Sequence, residues 1–458
     1  MQVTYLQKYA YEVANMGYNI FLTGNAGTGK SFIINKFIQD KEDAGLNIMK
    51  LAPTGIAASN INGTTLHNQF DMPLGPLVKY NNSYDDMDEV LVETDIIIID
   101  EISMCRMDMF DFVGGKILRA NRIRKNRGRK VIQLIVVGDF FQLPPVIKED
   151  EREVLSTYYG KDIGLGFAFQ SKLWNIFEFK NIILTEVIRQ TDRVFLEHLN
   201  RVRIGDKSSL DFFLNNCSKH EIKDAINLCG KNIEVNRINN RKLNELPGDI
   251  IEYRAILDGD VNYNDTIAEF NLELKIGARI MTLVNQDGYT NGSFGTITKL
   301  EHDFVYVLLD IGYEVQIARY DWLIYKYGIE KDELNNYKLI RECIGTFTQF
   351  PVKLAYAVTI HKSQGQTYDS VNLDPYCWDC GQLYTALSRV KRLENLYIRY
   401  NIDTSYEVVS LNAIKFHNEI VKTANKTVKP MENKAIIKTD IDYDMDKISG
   451  LLKGIGTK

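Results

Sequence analysis

The segment Gly24-Asn25-Ala26-Gly27-Thr28-Gly29-Lys30-Ser31 constrains this chain more than any other eight residues. It follows the apolar run Ile20-Phe21-Leu22-Thr23 and precedes Ser31 to Gln39, where Phe32, Ile33, Phe37 and Ile38 recur at roughly helical spacing. The pattern predicts strand, glycine turn, helix, the setting a phosphate-binding loop requires. Glycines let backbone N–H groups turn inward on a phosphate chain, and the helix that follows adds its positive end. Lys30 can neutralise the outer phosphates and the Ser31 hydroxyl can ligate Mg²⁺. A loop of this kind implies that a nucleoside triphosphate binds, and says nothing of what is done with it.

At 458 residues the chain is too long for one ordinary core, so two or more domains are expected. With 45% hydrophobic and 25% charged residues it has the composition of a soluble globular protein. No run has the length of a membrane span, and Met1 to Ala10 lacks the basic and apolar regions of a signal peptide. The expectation is a soluble protein without membrane association, cytoplasmic in a bacterial or phage-infected cell, nuclear or mitochondrial in a eukaryote. Cysteines at 105, 217, 229, 343, 377 and 380 make no disulfide framework, and Cys377-Trp378-Asp379-Cys380 supplies only half of a structural zinc site. The net charge of -5 gives no global sign of a nucleic-acid binder. The densest basic stripe, Arg122 to Lys130, is either a solvated helix end or a DNA-facing patch.

Along the chain, Met1 to Gly17 has the apolar spacing of an amphipathic helix, and Asn47 to Leu51 that of a second strand. The strand ends in Ala52-Pro53-Thr54-Gly55, where proline and glycine expose a loop and Thr54 offers a hydroxyl to a phosphate. Residues 71–89 are polar, aromatic and turn-rich, the texture of a small insertion. Ile96-Ile97-Ile98-Ile99 suits a strand buried on both faces, and Asp100-Glu101 stands at its end. Alone, such a pair marks only a strand terminus; downstream of a phosphate loop it is the second half of a hydrolysis site, one carboxylate for the metal and one for the attacking water. Ile132 to Val137 is a further strand, followed by Gly138-Asp139-Phe140-Phe141-Gln142, and Gln142 is an uncharged donor suited to sensing a γ-phosphate. The α/β alternation restarts near 191, is interrupted by short β-rich runs over about 275–348, and resumes with Leu354 to Gly365 and Tyr384 to Arg389.

In motif order, Gln7 to Arg399 resembles the superfamily 1 DNA helicases, and within them the petite-integration-frequency (PIF) family with its RecD-like relatives. The resemblance implies two RecA-like parallel-sheet domains, 1–190 and 191–400, with a β-barrel insert in the second and a C-terminal helix and tail over 401–458. It implies that Gln7 reads adenine, that Gly24 to Ser31 and Gly365 bind ATP, and that Ser31 and Asp100 hold Mg²⁺. Glu101 becomes the general base, Gln142 the γ-phosphate sensor, and Arg189 and Arg389 two arginine fingers, whose planar fixed charge meets the charge developing on the γ-phosphate. Pro53, Thr54, Thr65, His67, Thr359, His361, Lys362 and Ser363 fall in motifs laid along a DNA strand, and 71–89 where relatives carry a duplex wedge. The implied partners are single-stranded DNA and forked or tailed duplex, beside replication or single-strand-binding proteins, with a monomer as the active form. The implied activity is ATP-dependent unwinding from 5′ to 3′; a helicase of RNA or hybrids and an ATP-driven clamp are the alternatives. The chain departs from the family pattern at Asn25, at Arg129-Lys130-Val131, and at Leu228 to Asn232.

Overall fold

The computed structural model describes residues 3–73, 75–77, 86–187, 192–261, 268–331, 337–402 and 409–427. They fall into two units, one drawn from Met1–Arg189, Lys326–Glu342 and Ser410–Lys458, the other from Gln190–Tyr325 and Cys343–Val409.

In the first unit six parallel strands form one sheet. They are β1 (Ile20–Gly24), β2 (Ile48–Ala52), β3 (Thr64–Thr65), β4 (Ile96–Ile99), β5 (Gln133–Val137) and β6 (Lys180–Leu184), in the order β3-β2-β4-β5-β1-β6. The isoleucine run explains itself as β4: its side chains are 4, 0, 0 and 1% exposed, and a parallel strand covered on both faces has no polar side to present. Helix α1 (Tyr5–Asn15) opens with a reciprocal cap between Thr4 and Gln7, and α2 (Lys30–Asp43) buries Ile33, Ile34, Phe37 and Ile38 beside Ile20 and Leu22 of β1. A second aromatic core forms around Phe21, Phe140, Phe167, Phe169 and Trp174.

The sequence places 401–458 apart from both sheets. In the structure the amphipathic helix Leu411–Thr427 groups with the first unit, where Asn181 of β6 donates to Thr423 Oγ1 at 3.2 Å. The expected tail, 431–458, lies outside the described residues, as do 74 and 78–85 of the expected insertion; Asp86–Glu93 is helical.

The second unit holds a smaller parallel sheet in the order Ala357–Thr359, Ile226–Cys229, Val371–Leu373, Leu396–Ile398. Its insertion is antiparallel and starts earlier than expected, at Ile251. Five strands, from Glu314–Ala318 through Phe304–Leu309, Phe294–Leu300 and Arg279–Thr282 to Val352–Leu354, form one sheet. Asn271–Leu274 with Ile251–Arg254, and Tyr320–Lys331 with Tyr337–Gln349 and Ile256–Gly259, form two others; in the last of these the stretch Lys326–Glu342 groups with the first unit. Tyr253, Leu272 and Leu274 share a core with Ile280, Ile297, Val305 and Ile317, so sheets pack face to face. The β-barrel expected over 275–348 is corrected: among the described residues the ladders stay separate and close no barrel. Alternating hydrophobicity reports which face of a strand is buried and cannot distinguish a closed sheet from a packed pair. No described helix is long and apolar enough to cross a membrane.

Candidate nucleotide and strand-binding sites

Strands β4, β5 and β1 are neighbours, and their carboxyl ends deliver three loops to one edge of the first sheet. Gly24 closes β1 with φ +148°, and a Cβ there would lie 2.3 Å from the Leu184 carbonyl oxygen of β6, so only glycine lets the loop begin. Gly29 sits before α2 in the left-handed region and offers no side-chain cap, which leaves the first N–H groups of α2 for an anion. Lys30 folds over the loop, its Nζ donating to the carbonyls of Gly24 at 2.9 Å and Asn25 at 3.2 Å. Ala26 and Thr28 are buried, and the Thr28 hydroxyl donates to the Asn25 carbonyl, while Ser31 is exposed at the head of the helix.

Gln7 is 1% exposed. Its Oε1 accepts from Thr4 N at 3.1 Å and its Nε2 donates to the Thr28 carbonyl at 2.9 Å. Both ends of the amide are used inside the chain, so Gln7 braces the phosphate loop here, a role its helical spacing could not reveal.

Asp100 and Glu101 follow β4 directly. Asp100 is buried, and its Oδ1 accepts from Glu101 N at 2.9 Å. Burial first, and the adjacent Glu101 charge second, push the Asp100 carboxyl up to about 7, against a smaller downward pull from Lys30. Glu101 has φ 50° and ψ 46°, a left-handed conformation that costs a non-glycine residue on the order of 1 kcal/mol or more. Strain held at the end of a buried strand is what a site that must aim one carboxylate produces. Gln142 is buried at the end of the loop from Gly138, its N–H donating to the Asp139 carbonyl at 2.8 Å. Arg189 lies outside the described residues.

The strand motifs of the first unit lie on the β2–β3 side of the same edge. Pro53 and Thr54 are half-buried; Thr54 and Thr65 accept from Ala57 N and Asn68 N, so both hydroxyls cap short helices. Burial, then the Arg106 charge, holds the half-buried His67 imidazole below its ordinary value.

In the second unit Thr359 ends a strand of the parallel sheet, and its hydroxyl accepts from Lys362 N at 3.2 Å. His361 is pushed down by burial and Lys362 is exposed. Burial first, and the Lys362 charge second, lower Lys353 to about 8 against an opposing pull from Glu269. Two of the expected site residues are buried as placed. Ser363 is 0% exposed and donates to the Ile360 carbonyl at 2.7 Å, so its hydroxyl shapes the turn and cannot reach a strand as placed. Arg389 is 2% exposed: Nε donates to the Thr385 carbonyl, and Nη1 to the carbonyls of Ser363 at 3.1 Å and Gln366 at 2.9 Å. As placed, the guanidinium organises the turn that leads to Gly365, an exposed residue with φ +78°, and does not present itself to a phosphate.

Sequence inspection also missed Tyr376 and Trp378, 47 and 43% exposed. Trp378 lies along His361 with centroids 6.0 Å apart, and Lys231 sits 4.8 Å over the Tyr376 ring. Cys377 and Cys380 form no disulfide, and the described residues hold no cluster of metal-binding side chains. Three arginines of the basic stripe have partners within the unit: Arg124 donates to the Val92, Thr94 and Lys130 carbonyls and pairs with Asp95, while Arg127 pairs with Glu89 and Arg129 with Glu93. The stripe precedes β5, at the opposite edge of the sheet from the phosphate loop.

A parallel sheet whose central strands end in a glycine loop, an acidic pair and a buried glutamine defines a P-loop nucleoside triphosphatase. Comparison with known proteins narrows the class. The family model for PIF1-like helicases matches residues 2–210. ATP-dependent DNA helicase Pif1 of Campylobacter jejuni is 30% identical over 442 residues, covering 89% of this chain and 94% of the relative. Pif1 from Bacteroides sp in complex with ADP-AlF4 is similar with a TM-score of 0.77 at 32% identity, over 93% of this chain and 98% of that one. Bacteroides Pif1 bound to single-stranded DNA is similar with a TM-score of 0.66 at 32% identity, with the same coverage. The chain belongs to the PIF1-like helicase family.

Proposed function

We propose that this chain is an ATP- and Mg²⁺-dependent DNA helicase that moves 5′ to 3′ along a single strand and separates forked or tailed duplex as a monomer. The observation that carries this reading is the convergence of the Gly24–Ser31 loop, the Asp100–Glu101 pair and the Gln142 loop on one sheet edge. The relatives' binding of ADP-AlF4 and of single-stranded DNA supports nucleotide and strand as its ligands.

The residues fit a hard cation. Asp100 is a buried carboxyl raised by burial and the Glu101 charge, and Ser31 exposes a hydroxyl at the head of α2. One carboxylate and one hydroxyl suit Mg²⁺, which fills its other positions with water and phosphate oxygens. When bound, the ion neutralises charge on the phosphates. The chain's own residues do the rest. Backbone N–H groups of the loop and Lys30 hold the phosphates, Glu101 orients and deprotonates the attacking water, and Gln142 senses the γ-phosphate. Arg389 must exchange carbonyl partners for phosphate oxygens before it stabilises the transferring group, which makes turnover depend on a rearrangement of the Ser363–Gln366 turn. Thr54, His67, His361 and Lys362 grip phosphates and sugars, contacts that position a strand without reading its sequence.

Two partial duplexes, one with a 5′ and one with a 3′ single-stranded tail, test the reading by ATP-dependent strand release. Release from the 5′-tailed substrate alone is expected. Release from the 3′ tail alone removes the polarity, and DNA-stimulated ATP turnover with release from neither shows a clamp. Equal stimulation by RNA shows a strand grip indifferent to the 2′-OH.

A further inference from the structure

The helix Leu411–Thr427 follows the last strand of the second unit in the chain and seats its apolar face in the first. Ala413, Ile420 and Ala424 are buried on that face, and the half-buried Phe416 packs beside them. Its ring stacks on Phe169 at 4.3 Å and 5°, and meets Phe21 at 5.9 Å, Phe140 at 5.5 Å and Trp174 at 5.8 Å. His417, the next residue, lies edge-on to Phe141 at 5.1 Å.

These partners are not scattered. Phe21 lies in β1, three residues before Gly24, and Phe140 and Phe141 are the two residues before Gln142. Within the loop the Gln142 N–H donates to the Asp139 carbonyl and the Phe141 N–H to Asp139 Oδ1 at 3.2 Å, while Phe140 packs on Phe21, Phe167, Phe169 and Trp174 as well as on Phe416. One helix therefore supplies rings against both the strand that feeds the phosphate loop and the loop that carries the γ-phosphate sensor. Aromatic pairs of this kind favour a defined ring arrangement beyond the area they bury, which fixes where the loop's side chains stand.

We propose that this C-terminal helix is a positioning element for Gln142: Phe416 and His417 hold Phe140 and Phe141 so that strand binding is coupled to ATP turnover. The proposal rests on the helicase reading. The phosphate loop keeps its own braces, Gln7 to Thr28 and Lys30 to Gly24, so loss of the helix contacts should leave nucleotide binding in place.

The test compares the full chain with its Phe416→Ala, Phe416→Leu and His417→Ala variants. ATP turnover is measured with and without oligothymidylate, well below each variant's melting temperature. For Phe416→Ala the DNA-stimulated kcat is expected to fall about tenfold, as misplacement of a catalytic loop does, with the KM for ATP and the DNA-free rate within about twofold of the parent. Phe416→Leu, which restores apolar volume, should recover part of the loss, and His417→Ala should show a smaller one. A stimulation factor equal to the parent's in every folded variant overturns the proposal, as does an equal fall in the DNA-free and stimulated rates, which marks a merely structural contact. If Phe416→Ala does not fold, the other two variants decide by the same criterion. A parent chain that DNA fails to stimulate removes the helicase reading itself, and this inference with it.

Discussion

The two motif sets differ in how they hold charge. In the first unit the reactive groups are poised and under-satisfied: Asp100 is buried without a full counter-charge, Glu101 is held in a left-handed conformation, and Ser31 faces solvent. In the second unit the corresponding charge is fully satisfied, since Arg389 is buried and hydrogen-bonded to three carbonyls.

The sharpest way to break that contrast is to compare Arg389→Lys with Lys30→Ala. Arg389→Lys should lower ATP turnover about a thousandfold, as loss of an arginine finger does. It should also cost about 2 kcal/mol of stability, because an ammonium cannot reproduce the fork to the Thr385, Ser363 and Gln366 carbonyls. Lys30→Ala should lower turnover about a hundredfold or more while single-strand affinity stays near the parent's, measured by anisotropy. Parent-rate turnover in a folded Arg389→Lys protein would make Arg389 a scaffold and nothing more.

Asp100 gives a pH signature. Its carboxyl, raised from 3.8 to about 7, binds a proton in the folded state that the unfolded chain has already released. Stability therefore falls as pH rises between those two values and is flat above the upper one. Asp100→Asn should abolish that slope and raise the melting temperature at pH 8 by roughly 2 °C or more, with the gap closing toward pH 4 and hydrolysis lost. A melting temperature insensitive to the substitution across that window would mean the folded carboxyl is not raised.

The smallest effect separates the two basic regions. Lys362→Ala should flatten the dependence of single-strand affinity on salt by about 0.7 in log–log slope, the share of one phosphate contact. Arg127→Ala, which loses only the partly exposed pair with Glu89, should leave that slope unchanged and cost at most about 1 kcal/mol. A changed slope for Arg127→Ala would return the stripe to the DNA-binding surface.

The phosphate loop, the acidic pair and the buried isoleucine strand were legible because each is local: spacing, glycine and an apolar run set the conformation within a few residues. The Arg122–Lys130 stripe was ambiguous, since charge density says nothing about partners, and Glu89, Glu93 and Asp95 stand 29 to 38 residues away. Ser363 and Arg389 were identified by position while their burial was not, because the carbonyls that satisfy Arg389 include two from a turn 23 and 26 residues earlier.

The sequence by itself determined the elements and the chemistry available at their ends, because periodicity, glycine and side-chain type act over one turn or one strand. Tertiary structure alone decided which groups are satisfied and which are left poised, that Gln7 braces the phosphate loop, and that the helix Leu411–Thr427 returns to the first unit beside Gln142. Those outcomes depend on burial and on partners far along the chain, and desolvation has no value until the fold has removed the water.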